Sequence, residues 1–197
     1  MDDENVIWGK FKEGSSDAFY SLYDLYYQPL FYYGMRISGN KDLTRDAIHD
    51  LFLELWESRT RIKNVQSIKP YLLKSLRNII IDILNKDKKT LNVFEDAFFE
   101  KNTIETILSQ EDVIIQEYDS SINVEQLNKA FNILSSRQKE IIYLRFYSNL
   151  NYKEIAEITN LKYQSVRNLV SKALLKLKES LIFFLIFLSL TINQLHS

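Results

Sequence analysis

The chain has 197 residues, 46% of them hydrophobic and 13% aromatic, enough for one or two packed domains and too apolar for wholesale disorder. It has no cysteine, two histidines (His49 and His196), four glycines and two prolines. That excludes disulfide frameworks, thiolate zinc sites and cysteine nucleophiles, and leaves too few turn residues for an all-β fold or a glycine-rich phosphate loop. The net charge of -1 conceals an alternation: residues 1–57 carry net -6, 58–90 net +7, 91–125 net -8, 126–180 net +6, and 181–197 none. Two basic blocks around an acidic one read as two polyanion-facing surfaces joined by a segment that is not one.

The opening Met1-Asp2-Asp3-Glu4 is acidic and lacks an apolar core, so no secretory signal is expected and the cysteine-free chain reads as cytoplasmic. From Asp17 to about Ile37, Phe19, Leu22, Tyr23, Tyr26, Leu30 and Tyr33 recur at the three-and-four spacing of an amphipathic helix, with Pro29 expected to kink it. Gly39-Asn40 reads as a turn, and Asp42 as the N-cap of a helix through Glu57. Its buried stripe is Leu43, Ala47, Ile48, Leu51, Phe52 and Leu55, and its opposite face is acidic. Residues 58–67 have no clean period and read as a basic loop. Pro70 suits the first turn of a helix to about Asn85, with Leu72, Leu73, Leu76, Ile79, Ile80 and Ile83 inward. Residues 94–121 form an acidic connector, expected to be partly helical for want of glycine and proline.

In the last third, residues 125–134 and 138–147 follow helical patterns, with Ser135-Ser136 as the cap between them. Residues 152–159 form a short helix, Asn160-Leu161-Lys162 a tight connection, and Tyr163 opens a longer helix. Val166, Leu169, Val170, Ala173, Leu174 and Leu177 are its expected inner face. Two helices joined by three residues, the second basic on its outer face, describe a helix-turn-helix, whose second helix fits the major groove of B-form DNA. Asn160 stands where such turns usually carry glycine, being the next most tolerant of a left-handed backbone. Tyr163, Gln164, Ser165, Arg167, Asn168, Ser171 and Lys172 fall at its reading end; Gln164, Arg167 and Asn168 are types that make bidentate base contacts, while Tyr163, Lys172 and Lys176 suit phosphate.

Three segments in order carry a family resemblance: Asp46-Ala47-Ile48-His49-Asp50-Leu51-Phe52-Leu53-Glu54-Leu55-Trp56; Tyr71 to Asn85 with Arg77-Asn78 and Asp82; and Leu134 to Glu140 followed by Tyr152 to Ala156 and Ser165-Val166-Arg167. Over roughly residues 17–181 the chain resembles the extracytoplasmic-function sigma factors of bacterial RNA polymerase. The resemblance implies an all-α, two-domain promoter-recognition subunit. A region-two domain would span 1–92, an acidic linker 93–121, a region-four helix-turn-helix domain 122–181 and an apolar tail 182–197. It further implies that Asp46, His49, Asp50, Leu53 and Glu54 dock on core RNA polymerase, and that Arg59, Arg61, Lys63, Tyr71, Lys74, Arg77 and Asn78 meet the minus-ten promoter element. A loop at about 59–67 would capture an unstacked base, with Trp56 and Tyr71 as possible stacking surfaces. Residues 163–172 would read the minus-thirty-five duplex.

The expected partners are core RNA polymerase, promoter DNA and an anti-sigma factor, often membrane-bound in this family; no cofactor, metal, small-molecule substrate or enzymatic activity is expected. Three positions depart from the family pattern: His49 replaces a usual glutamine, Lys162 replaces a usual serine before the recognition helix, and Leu181 to Ile192 add an almost wholly apolar stretch. Twelve residues fall short of the roughly 20 that span a bilayer. Two other readings stay open at this level: a homodimeric operator-binding regulator with the tail as its seam, and a helical adaptor for proteins or membranes.

Overall fold

The computed structural model describes residues 2–62, 65–87 and 131–195, with side chains for 4–62, 65–86 and 131–180. Lys63, the acidic connector and the start of the helix read at 125–134 lie outside the described residues. Every regular element among the described residues is helical: α1 (Asp2–Lys12), α2 (Ser16–Ser38), α3 (Lys41–Ser58), α4 (Ile68–Asp87), α5 (Ser136–Ile142), a π-helical turn (Tyr143–Tyr147), α6 (Tyr152–Thr159) and α7 (Tyr163–Leu195). They divide into two compact units, one holding 2–87 and 154–160 and the other 131–153 and 161–195.

In the first unit α2 packs against α1, α3 and α4, and α3 against α4. Leu22, Tyr26, Leu30, Tyr33 and Ile37 run down one face of α2 and are buried, as are Ala47, Ile48, Leu51, Phe52 and Leu55 of α3 and Leu72, Leu73, Leu76 and Ile80 of α4. The helix continues through Pro29 to Ser38. It ends at Gly39, whose φ of 62° no β-carbon hinders, with the Gly39 N–H donating to Met35 O at 2.8 Å. The cap of α3 is Asn40 rather than Asp42: its side-chain oxygen accepts from the N–H groups of Asp42 and Leu43 at 3.0 and 3.1 Å. Asp42 therefore sits in the first turn, where its carboxylate faces the positive end of the helix dipole.

One close approach fixes how these helices meet. A β-carbon at Gly34 would stand 2.6 Å from Thr44 Cγ2 and 3.2 Å from Ile80 Cδ1, so α3 and α4 both bear on that point of α2.

Helix α1 was not among the expected elements. It is held by rings: Trp8 lies 5.2 Å from Phe11 and 6.1 Å from Tyr71, and Phe11 lies 6.3 Å from Phe19 and 6.2 Å from Trp56. Tyr26 OH donates to Glu4 Oε2 at 3.1 Å, a further tie between α1 and α2. Burial, then the Glu4 carboxylate, push the Tyr26 phenol well above its ordinary range.

In the second unit α5 packs on α7. Ser135 caps α5 in a reciprocal box: Gln138 N–H donates to Ser135 Oγ at 3.3 Å, and Ser135 N–H donates to Gln138 Oε1 at 3.1 Å. The same Gln138 oxygen accepts from Lys176 Nζ at 3.2 Å, so the cap reaches across to α7. A Ser135→Ala variant should lose about 1 kcal/mol. In a unit of this size that lowers the midpoint by about 4–8 °C, read by thermal melting.

The run expected as one helix to Tyr147 changes pitch at Tyr143 to a π-helical turn. It closes with the Ser148 N–H donating to Tyr143 O at 3.0 Å. Arg145 secures the following loop, donating to Leu150 O at 2.8 Å while its guanidinium lies 5.1 Å over the Tyr152 ring. Asn160 has a φ of 53°, the left-handed turn expected between α6 and α7.

Candidate functional site

The α3 ridge stands clear of the core. Asp46, His49, Asp50, Leu53 and Glu54 are all exposed, with Leu53 at 47% although it is apolar. Asp46, Asp50 and Glu54 follow at four-residue steps and so form one line along the helix. His49 Nδ1 lies 3.9 Å from Asp50 Oδ1, with both side chains mostly in water. A row of carboxylates around an exposed leucine is suited to a basic partner with an apolar centre.

The basic set expected at the minus-ten element is less uniform. Arg61 and Asn78 are exposed and Lys74 is half-buried. Tyr71 is half-buried against Trp8, and burial raises its phenol pKa. Arg59 folds back on its own helix, its guanidinium 4.3 Å over the Trp56 ring and Nη1 donating to Trp56 O at 2.6 Å. Arg77 departs from the expectation. At 9% exposure it lies with the core of the first unit, because its place four residues after Leu73 and three before Ile80 falls on the buried stripe of α4. Trp56 belongs to the ring cluster, 5.2 Å from Phe19, rather than to a free stacking surface.

The recognition end of α7 is laid out as the period predicts. Tyr163, Gln164, Arg167, Asn168, Ser171 and Lys172 are exposed and Ser165 half-buried, while Val166, Val170 and Ala173 are buried. Tyr163 meets Tyr152 edge-on at 6.1 Å, which braces the start of α7. Of the expected inward set Leu174 departs, at 44% exposure, while Leu169 and Leu177 are half-buried. Lys176, read as a phosphate contact, bonds Gln138 and sits 3.5 Å from Ile133 O instead. Among the described residues no cluster of three His, Cys, Asp or Glu side chains could hold a metal ion.

The family model for sigma-70 region 2 matches residues 22–90, and that for sigma-70 region 4 matches residues 130–179. The RNA polymerase sigma factor SigV of Bacillus subtilis is 30% identical over 135 residues, 68% of this chain and 74% of that protein. The chain belongs to the extracytoplasmic-function sigma factors. Other members of the family match over greater lengths: YlaC of Bacillus subtilis is 23% identical over 84% of this sigma factor and 92% of its own length. SigM of the same organism is 21% identical over 80% and 91%.

Two solved structures share the fold. Sigma factor RpoE of Bartonella quintana, determined with the anti-sigma factor NepR, superposes with a TM-score of 0.55 at 22% identity, covering 83% of this chain and 96% of that one. CnrH, determined with the cytosolic domain of CnrY, superposes with a TM-score of 0.59 at 13% identity, covering 90% and 96%. The region-two match spans α3 and α4, and the region-four match spans α5, the π-helical turn and α6. Of the residues expected to act, the period of α3 and α7 located the exposed ones. Sequence reasoning missed α1, whose signal was the short apolar set Ile7, Trp8 and Phe11, interrupted by Gly9.

Proposed function

We propose that this sigma factor divides its work as its charges are divided. Residues 1–92 bind core RNA polymerase and the minus-ten region, 122–181 bind the minus-thirty-five duplex, 93–121 serve as an acidic linker, and 182–197 are an apolar appendage. The observation that carries this is the pairing of two exposed surfaces of opposite sign: the Asp46, His49, Asp50, Leu53, Glu54 ridge on α3, and the Gln164, Arg167, Asn168, Lys172 face on α7. The first meets the polymerase and the second meets base edges and phosphate. Between them Arg59, Arg61, Lys63, Tyr71, Lys74 and Asn78 supply the contacts to the minus-ten strand, and Arg77 supports them from the core. Tyr163, Ser165 and Ser171 add positioning contacts to the duplex backbone.

The chain acts by binding rather than by catalysis, in the cytoplasm, and needs no cofactor. A regulatory anti-sigma factor, membrane-bound as is common in the family, is its expected antagonist; the complexes of RpoE with NepR and of CnrH with CnrY support that reading.

Run-off transcription with purified core RNA polymerase tests the assignment. The full chain should give discrete transcripts from promoter fragments of its source genome. Asp46→Ala/Asp50→Ala should cut them by about tenfold or more, since two interfacial charges are removed and neither is part of the core. No transcript with wild-type protein, together with tight duplex binding by the chain alone, would instead mark an operator-binding regulator.

A further inference from the structure

We propose that the last stretch of α7, Leu181 to Leu195, inserts into a lipid leaflet and holds this sigma factor on a bilayer surface directly, with no membrane protein between them. Lipid binding is separate from promoter recognition, and either property can fail without the other. The helical backbone of α7 continues to Leu195, well past Ala173, the last buried position among its described side chains. Its five charged residues, Arg167, Lys172, Lys176, Lys178 and Glu179, all precede Leu181.

The order of residues in this run distinguishes a protein seam from lipid. Val166, Val170 and Ala173, the buried positions of α7, share one arc of the helix about 60° wide. Continued past Leu181, that arc takes in only Phe184 and Leu188. Yet the eight residues from Leu181 to Leu188 (LIFFLIFL) include no polar one. At about 100° per residue they leave no arc wider than about 60° without an apolar position. A partner helix takes up a stripe of about 100°, so a second copy or a docked protein helix would leave most of this circumference in water. Lipid meets a helix from every side, and a helix apolar all round is matched to it.

The length and the ends of the run suit one leaflet. Leu181 to Ile192 has 12 residues, a rise of about 18 Å, against roughly 30 Å of hydrocarbon in a bilayer. Among the described residues no helix is long and apolar enough to cross a membrane. Asn193 and Gln194 follow, and their amides resist transfer to the hydrocarbon centre, so the helix enters at a slant with both ends near the headgroups. At the entry end Lys172, Lys176 and Lys178 are exposed, against the single carboxylate of Glu179. Lysine stems lie along apolar surface while their ammonium groups reach lipid phosphate. Leu175, 56% exposed, extends the apolar surface among these lysines.

The test is vesicle flotation with the full chain, in which lipid-bound protein rises and aggregate sinks. Vesicles of phosphatidylcholine alone, free of any protein, should carry the wild type upward. Including about one-third phosphatidylglycerol should strengthen binding severalfold, a gain that high salt removes without abolishing flotation. Leu185→Asp and Phe187→Asp lie about 200° apart around the helix, both off the arc of the buried positions. Each should weaken flotation at least tenfold with the melting temperature unchanged, while Phe187→Leu floats as the wild type does. If only one of the two aspartates weakens flotation, and sedimentation equilibrium shows a dimer that the same substitution dissociates, the tail is a seam between copies and the proposal fails. Wild-type protein that floats with neither kind of vesicle also overturns it, a result that holds even where an aspartate variant does not fold.

Discussion

Gly34→Val should unfold the region-two bundle at temperatures where the wild type is intact. The first added carbon falls 2.6 Å from Thr44 Cγ2, far inside van der Waals contact, and the neighbour has no freedom to turn away. Thr44 is fully buried, its Oγ1 donates to Asn40 O at 2.7 Å, and it shares a second hydrogen bond of 2.7 Å with Ser38 Oγ. Rotating Thr44 would break both bonds and disturb the turn that caps α3. The alternative is to push α3 off α2, which opens the contacts of Ile48 and Leu51. Overpacking of this kind costs about 1–3 kcal/mol per site, and valine adds two further methyl groups pressed toward Ile80 and Leu76, so a loss of about 3 kcal/mol or more is expected. That is a large share of the roughly 5–15 kcal/mol by which a domain is stable.

Urea unfolding followed by circular dichroism measures the loss. Gly34→Ala should lose less, because alanine recovers up to about 1 kcal/mol of helix propensity. Thr44→Ser in the Gly34→Ala background should restore most of the difference, since it removes the offending methyl and keeps the hydroxyl. A Gly34→Val variant with wild-type stability would mean that α2 and α3 meet elsewhere.

Arg167→Ala/Asn168→Ala should weaken holoenzyme binding to a minus-thirty-five duplex by roughly thirtyfold or more without lowering the stability of the region-four unit. Both side chains are exposed on the first turns of α7, while the helix is held from its other side by Val166, Val170 and Ala173. Each bidentate base contact contributes about 1–3 kcal/mol of discrimination, so two lost contacts amount to about 2–6 kcal/mol. Lys172→Ala supplies the contrast: a phosphate contact weakens all sequences alike and reduces the salt slope by about one unit. Electrophoretic mobility shift of holoenzyme on matched and scrambled minus-thirty-five duplexes separates the two effects. Equal loss on both duplexes would assign Arg167 and Asn168 to the backbone rather than to bases.

Where the sequence was legible, side-chain period did the work. The apolar stripes of α2, α3 and α4 and the outward face of α7 follow from three-and-four spacing, because burial of one face is what holds a helix in a bundle. The left-handed Asn160 and the Ser135 cap were legible for a different reason, since few residue types satisfy those backbone positions. Residue type misled where it was weighed above position. The resemblance places Arg77 at the minus-ten element, although its register sets it among the leucines of α4, where its aliphatic stem can be buried.

Lys176 was read from its charge, whereas the structure uses it to bind the Gln138 cap. The π-helical turn left no trace in the apolar pattern, and α1 was hidden because its support comes from rings outside it, Phe19 on the next helix and the sequence-distant Trp56 and Tyr71. Leu174 fits the inward stripe by count, but lies exposed near the point where buried positions on α7 give out.

The backbone of α7 runs unbroken from Tyr163 to Leu195, so the end proposed to read DNA and the uncharged end belong to one rod of 33 residues. A rod of that length spans about 50 Å, and it carries angular phase as well as distance. One residue inserted at Ser180 would turn the far end by about 100° and advance it by about 1.5 Å, while the reading face kept its orientation. Any surface that grips the far end from one side therefore also dictates the azimuth at which Arg167 and Asn168 are presented, as a key's bow dictates the angle of its teeth.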